Sequence, residues 1–331
     1  MRRLFLIYFL FFGIFADASG NGNQQINLII SVDWEGFSLE DANLEAFRKF
    51  REDYPEVKIV HFLNAAYFLQ KGADAPSIQK KINSVIRPGD ELGLHIHAFE
   101  TLLEAAGVKY REDYNFWGRE KSKPINNVRG HDVPLSIYSE SEIRKIVRTS
   151  LNILEENGFK NLKSFRAGGW AASPEVLNAL VKEGLTIDSS AVPPEIVKNV
   201  TGEETPLYSK IVNKLWQQTT VQSDTAYEIK TETGTIVEVP NNFGLADYIT
   251  GEEVFEKFKV LFDNLDFNSN RPVNIHYGFH EETAAQFIGR VRYAIDKIKE
   301  HVQAYRVDIN PKSLRELKLT SGSALSCERL F

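Results

Sequence analysis

Between residues 26 and 309, short apolar runs of strand length alternate with amphipathic stretches of helical length. This alternation is the strongest constraint the sequence places on its fold. Strands are expected at 26–32, 57–63, 92–97, 164–166, 185–188, 235–239, 272–276 and 304–309. Helices are expected at 43–54, 77–86, 139–157, 174–182, 252–264 and 281–301. The clearest helix starts at Ser139, with Glu142 three residues on to complete a capping box and Gly158 to end it. Repeated strand–helix units favour a parallel sheet or barrel covered by helices. Two stretches, 107–138 and 192–233, break the rhythm and read as long irregular loops. The first carries Tyr110, Tyr114, Phe116, Trp117 and His131; the second carries Pro193, Pro194, Pro206 and Trp216. Their aromatic content argues against disorder.

With 331 residues, 43% hydrophobic and 25% charged, the chain is long enough for one large α/β domain or two smaller ones. The formal net charge of −6 gives no global basic signal for nucleic acid or an anionic membrane. Arg2 and Arg3 precede an apolar run over 4–15, followed by Ala16-Asp17-Ala18. That is the pattern of a signal peptide over 1–18, cleaved after Ala18, and implies a secreted, periplasmic or otherwise extracytoplasmic protein. An uncleaved anchor is the rival reading, but the run is short of the roughly 20 residues a span needs. No later stretch is apolar enough to cross a bilayer, so no membrane span is expected after cleavage. Residues 24–310 then form the domain and 311–331 a Ser-rich tail. Cys327 is the only cysteine, which rules out an intrachain disulfide and a multi-cysteine metal site. Asn199-Val200-Thr201 fits a glycosylation acceptor.

Polar groups able to do chemistry recur just after the strands. Asp33-Trp34-Glu35 follows the first, and His95-Ile96-His97 follows Glu91-Leu92-Gly93-Leu94. Residues i and i+2 of a strand project to one face, so each cluster aims two groups at one point. If the strand ends are neighbours, two carboxylates and two imidazoles make an oxygen and nitrogen site for a divalent metal such as zinc. Three further sets stand at later strand ends. They are Arg166 with Ala167-Gly168-Gly169-Trp170, Asp188 with Ser189-Ser190, and His276 with Tyr277-Gly278-Phe279-His280. Barrel enzymes gather their sites at the C-terminal ends of the strands. The remaining histidines read differently: His61 as a satisfied core residue, His131-Asp132 as a solvated loop pair, and His301 as a helix-end group complementing the dipole.

In this order the five sets resemble the motifs of the metal-dependent polysaccharide deacetylases, the NodB-homology or carbohydrate esterase family four proteins. Ser31-Val32-Asp33-Trp34-Glu35-Gly36 resembles their first motif, and Gly89 through His97 the second. Ser164 through Trp170 resembles the third, Thr186 through Ser190 the fourth, and Asn274-Ile275-His276 the fifth. The resemblance spans about residues 26 to 309. Two departures stand out: the family's Asp-Asp is here Asp33-x-Glu35, and its His-x-x-x-His is here His95-x-His97, with Phe99 where the second histidine would fall. The resemblance implies an α/β fold, a distorted (β/α)7-8 barrel of the polysaccharide deacetylase type. It also implies a hydrolase that removes N-acetyl groups from a polysaccharide or oligosaccharide of N-acetylglucosamine type.

By the same resemblance, a divalent metal, Zn2+ first and Co2+, Ni2+ or Fe2+ as alternatives, is held by Glu35, His95 and His97. Asp33 is the general base, although the spacing leaves the two carboxylates interchangeable. His276 protonates the departing amine, with His280 as the alternative acid. Arg166 orients Asp33, Asp188 orients His276, and Gly169 with Trp170 lines the oxyanion side. The aromatic loops could line a sugar-binding groove or simply pack onto the barrel. Alternatives of other classes are a metal hydrolase of another C–N bond, an O-deacetylase, and a degenerate carbohydrate-binding protein without turnover.

Overall fold

The first strand, β1 (Ile26–Asp33), is buried at every position, as expected of a strand covered on both faces. Its two faces enter different cores. Ile26, Leu28, Ile30 and Val32 pack outward with Leu44, Phe47 and Phe50 of helix α1 (Asp41–Asp53). Ile29 faces inward with Val60, Phe62, Ile187, Val239 and Leu314. These assignments come from a computed structural model that describes residues 25–201, 206–216, 224–267, 269, 271–317, 319 and 324–326. The expected signal peptide and Cys327 lie outside the described residues.

On one side β1 pairs in parallel with β2 (Ile59–Leu63), which leads to β3 (Glu91–Ile96), β4 (Ser164–Ala167) and β5 (Ile187–Asp188). The next strand in space is β7 (Thr235–Glu238), the return arm of an antiparallel hairpin with β6 (Tyr227–Lys230). On its other side β1 pairs over its full length with β8 (Val273–His280). Among the described residues no ladder joins β7 to β8. The gap is bridged by the irregular continuation of β7, where Phe243 N–H donates to His276 O at 3.0 Å and Gly278 N–H to Gly244 O at 2.9 Å. A side chain at Gly278 would come within 2.6 Å of Leu245 and 2.7 Å of Ser31 Oγ, so this close seam needs glycine. The result is a mostly parallel α/β barrel, distorted at one seam. A last pair of short strands completes the sheet: β9 (Ile309–Pro311) on β1 and β10 (Ala324–Ser326) on β6. Leu314 closes the base of the inner core. No helix of the described residues is long and apolar enough to cross a membrane.

Most expected elements form, and the exceptions have local causes. Beside α2 (Ala75–Asn83), α3 (Glu100–Ala105), α5 (Pro174–Lys182) and α8 (Gly251–Asp263), helix α4 (Glu140–Glu156) has the capping box read from Ser139 and Glu142. The stretch 192–233 is not one irregular loop. It holds α6 (Pro194–Thr201) and α7 (Pro206–Trp216), each opening on a proline, which suits the first helical position because its missing N–H is unpaired there anyway. The strand expected at 304–309 is displaced: α9 (Ala284–Ala304) runs on to Ala304, and Arg306 turns the chain at φ 56° before β9. The strand expected at 272–276 continues to His280, which changes the reading of the site.

Buried polar groups below the site tie β2 to β3. The Asp90 carboxylate accepts from Arg51 at 2.8 and 2.9 Å, from Ile59 N–H at 2.9 Å and from Arg87 N–H at 2.7 Å, with His61 Nε2 at 3.3 Å. His61 is thus a core histidine, as the sequence suggested, but only its Nε2 has a partner, and its buried Nδ1 has none. Burial opposes ionisation of Asp90, but the hydrogen bond and charge of His61, the Ile59 N–H and Arg51 outweigh it and lower its pKa. A carboxyl depressed in the native state contributes stability above its unfolded pKa, near 4, and loses it as pH falls through the native value. Asp90→Ala, which leaves Arg51 buried and unpaired, should lower the unfolding free energy by about 3–5 kcal/mol in urea titrations at pH 7. The difference between variant and unmodified protein should shrink below about pH 4; a pH-independent difference would contradict this role.

Candidate active site

The strand ends open into a cleft of about 210 Å³. Asp33, Glu35, His95, His97, His131 and His280 line it. Asp33 ends β1, His95 lies on β3 with His97 just past its end, and His280 ends β8. The β1–β8 register sets Asp33 directly beside His280 and Ile29 beside His276.

Glu35 is the centre of the constellation. His131 Nε2 lies 2.6 Å and His97 Nε2 2.9 Å from its Oε2, while His95 Nε2 and His280 Nε2 each lie 3.4 Å from its Oε1. Burial works against the charge of Glu35, but His97, His280, His131 and His95 together hold its carboxyl well below the usual carboxylate range. Two of the rings have a fixed orientation. The Nδ1 of His95 lies 2.8 Å from the backbone oxygen of Arg166, and that of His97 lies 2.6 Å from the backbone oxygen of His131. A ring that donates through Nδ1 turns an unprotonated Nε2 inward, which is how metal-ligating histidines are held. Burial, and then the neighbouring His131, pushes His97 down to about 4, so it is neutral at pH 7.

The donor set fits a divalent cation. The ligand atoms of Glu35, His97 and His131 lie within 4.8 Å of one another, and His95 Nε2 is buried with no hydrogen-bond partner. Histidine and carboxylate are the ligands borderline divalent metals such as zinc take. His131, read from the sequence as part of a solvated loop pair, is therefore in the centre. Its loop position carried no periodic signal.

Beneath Glu35, Arg166 of β4 donates to Asp33 Oδ1 and Ser31 Oγ from Nη1, to Ser189 O from Nε, and to Ser189 Oγ and His276 Nε2 from Nη2, all at 2.8–3.0 Å. The expected pairing of Arg166 with Asp33 is present. The expected roles of His276 and Asp188 do not match the geometry. His276 is fully buried under Arg166 and does not line the cleft. Burial and the Arg166 charge push its pKa well down, so it is a neutral acceptor with no proton for a substrate. Asp188 accepts from Ser190 Oγ at 2.7 Å and lies against Glu238 rather than His276. His280, by contrast, faces the cleft, and its Nδ1 lies 2.9 Å from Asp247. Burial opposes its charge, but Asp247 and Glu35 raise it to about 10. Both the motif and a strand ending at 276 pointed to His276, whereas β8 runs four residues further.

The turn after β4 is tightly constrained. A side chain at Gly168 would come within 2.5 Å of His97 Nδ1, and one at Gly169, at φ 59°, within 2.8 Å of Phe116. Trp170 has φ 54°, a strained value for a bulky residue, and its carbonyl accepts from Trp216 Nε1 of α7 at 2.8 Å. Phe116 and Trp117 from 107–138 and Tyr208 from α7 join Trp170 as aromatic walls. Behind the site Glu282 accepts from the N–H groups of Glu35 and Gly36 at 3.0 and 3.1 Å, fixing the turn that carries Glu35. Neither Asp247 nor Glu282 was visible as a functional residue in the sequence, where both resemble ordinary surface acids.

No family model and no curated protein matches the sequence. Solved structures do match its fold. A 4-alpha-glucanotransferase from Thermococcus litoralis aligns over 92% of this chain and 42% of its own, at 14% identity and a TM-score of 0.52. The PuuE allantoinase aligns over 89% of this chain and 90% of its own, at 11% identity and 0.49. A protein from Mycobacterium smegmatis assigned as a polysaccharide deacetylase aligns over 90% and 97%, at 14% identity and 0.46. At such identities a likeness concerns the fold alone.

Arg166→Met leaves Asp33 buried without its partner and should destabilise the fold by about 3–5 kcal/mol in urea titration. Adding Asp33→Asn should recover part of that loss. Additive effects of the two substitutions would mean that the pair is not coupled.

Proposed function

We propose that the protein is a metal-dependent hydrolase that removes N-acetyl groups from a polysaccharide built on N-acetylglucosamine. We further propose that it acts outside the cytoplasm once residues 1–18 are cleaved. The observation that carries this reading is the Glu35 carboxylate, ringed by four imidazoles, beside a second carboxylate, Asp33, that Arg166 holds. The motif order supports the reaction, and the aromatic walls support a sugar as substrate. The pattern of residues 2–18 supports export.

Glu35 and His97 would hold the cation, with His95 and His131 placed to complete its protein ligands. Bound there, a divalent metal supplies a Lewis acid for the acyl oxygen. Asp33, gripped by Arg166 at Oδ1 alone, takes a proton from the attacking water as the new C–O bond forms. His280, held by Asp247, gives a proton to the amide nitrogen as the C–N bond breaks, so acetate and a free amine leave. This assigns to His280 the acid role the sequence gave to His276. Gly169 and Trp170 form the wall against the acyl group.

Acetate release from N-acetylated and O-acetylated oligosaccharides tests the reading. Asp33→Asn should keep the metal and lose about 10²–10⁴-fold in kcat. His280→Asn should lose as much on N-acetyl substrates but far less on an activated aryl acetate, whose leaving group needs no proton. No acetate from any substrate with zinc-replete protein would sink the proposal, and an undiminished His280→Asn variant would return the acid role to another group.

A further inference from the structure

Residues 107–138 run as a strap from the barrel across the cleft, and one part of it belongs to the Glu35 cluster. His131 and His97 stack with ring centroids 4.1 Å apart and planes within 13°. Their Nε2 atoms converge on the same oxygen, Glu35 Oε2, at 2.6 and 2.9 Å. His95 meets the other oxygen, at 3.4 Å. Two parallel rings aimed at one carboxylate oxygen form a compact three-atom donor set, and His95 stands outside it.

The same segment carries the substrate wall. Phe116 N–H donates to Asp132 O at 2.8 Å, so the wall residue is hydrogen-bonded to the neighbour of His131. The Asp132 carboxylate in turn accepts from Ser122 Oγ and from Lys123 N–H. Phe116 packs edge-on against Tyr208 of α7 with centroids 5.1 Å apart, and Trp117 lies nearly parallel to Tyr208 at 6.4 Å. These contacts tie His131, through Asp132, to Phe116 and Trp117.

We propose that His131, rather than His95, completes the cation's protein ligands, and that loading the metal clamps the strap, with Phe116 and Trp117, over the cleft. The proposal rests on the metal-dependent reading above and adds a consequence to it. The aromatic wall is held over the cleft more firmly in the loaded protein, and by linkage whatever holds the strap down tightens the metal. The ligand is supplied by a loop 34 residues beyond His97, in place of a second histidine within the strand-end motif.

Trypsin reads the clamp directly, because Arg119 and Lys121 on the strap have side chains 41% and 69% exposed. The full chain is digested with zinc or with EDTA, and cleavage after Arg119 and Lys121 is followed by mass spectrometry. If cleavage requires release of the metal, zinc at 100 times its Kd should slow it by about 100-fold. His131→Ala should remove that protection and weaken zinc binding at least about tenfold, the lower end seen even when an outer partner of a metal ligand is lost. His95→Ala should keep the protection. Cleavage of the unmodified protein at the same rate with and without zinc overturns the proposal, and needs no variant to fold. So does a His131→Ala protein that binds zinc and resists trypsin as the unmodified protein does. Acetate release measured on the same samples separates the two readings. An intact zinc clamp without acetate release removes the deacetylase reading alone, and zinc-dependent acetate release without a clamp removes this proposal alone.

Discussion

The Arg166 guanidinium is the interaction on which the rest of the site depends. It has five N–H donors, and five acceptors meet them: Asp33 Oδ1, Ser31 Oγ, Ser189 O, Ser189 Oγ and His276 Nε2. These belong to β1, the segment after β5, and β8, while Arg166 itself belongs to β4. One side chain therefore cross-links four parts of the barrel wall, with its guanidinium 4.4 Å from the centre of the Phe62 ring of β2. A buried cation of this kind is tolerable only when it is paired and fully hydrogen-bonded. That requirement makes the Asp33 carboxylate its partner and His276 a neutral acceptor. The two histidines of β8 differ for the same reason. His276 lies in the layer that satisfies Arg166, and His280, one layer higher, faces the cleft with Asp247 behind it.

Above that layer the chemistry is centred on Glu35. Its carboxylate is reached from β3, from the strap and from β8, so three separately folded parts of the chain converge on one group. Its own backbone is held from behind by Glu282, which follows His280 by two residues and brings the end of β8 against the turn after β1. The cluster therefore needs correct closure of the barrel seam as well as the right residues. Gly278, Gly168 and Gly169 stand at the points of closest approach, where any side chain would displace Leu245, His97 or Phe116.

Where periodicity ran alongside capping chemistry, the sequence was legible. The Ser139–Glu142 capping box and the strand-length run of β1 carried local signals that survive in the fold. The paired spacings Asp33-x-Glu35 and His95-x-His97 pointed to groups that do line one cleft, although β2 stands between their strands β1 and β3. What was hidden depends on tertiary contacts. The strand expected at 272–276 runs on through Gly278 to His280, because the seam with Leu245 requires a glycine within the strand. His131 and Asp247 come from irregular segments, where spacing says nothing about direction. Asp188 carried a motif-like context but faces Glu238, a residue whose inward direction depends on how β7 docks on β5.

Anomalous diffraction from a zinc-loaded crystal shows whether the imidazoles around Glu35 form a cation site. One strong zinc peak is expected in the cleft, about 2.0–2.2 Å from Glu35 Oε2, His97 Nε2 and His131 Nε2, with its loss on soaking with a chelator. A crystal grown with zinc that shows no anomalous density at Glu35, with the four imidazoles still bonded directly to its carboxylate, would contradict it.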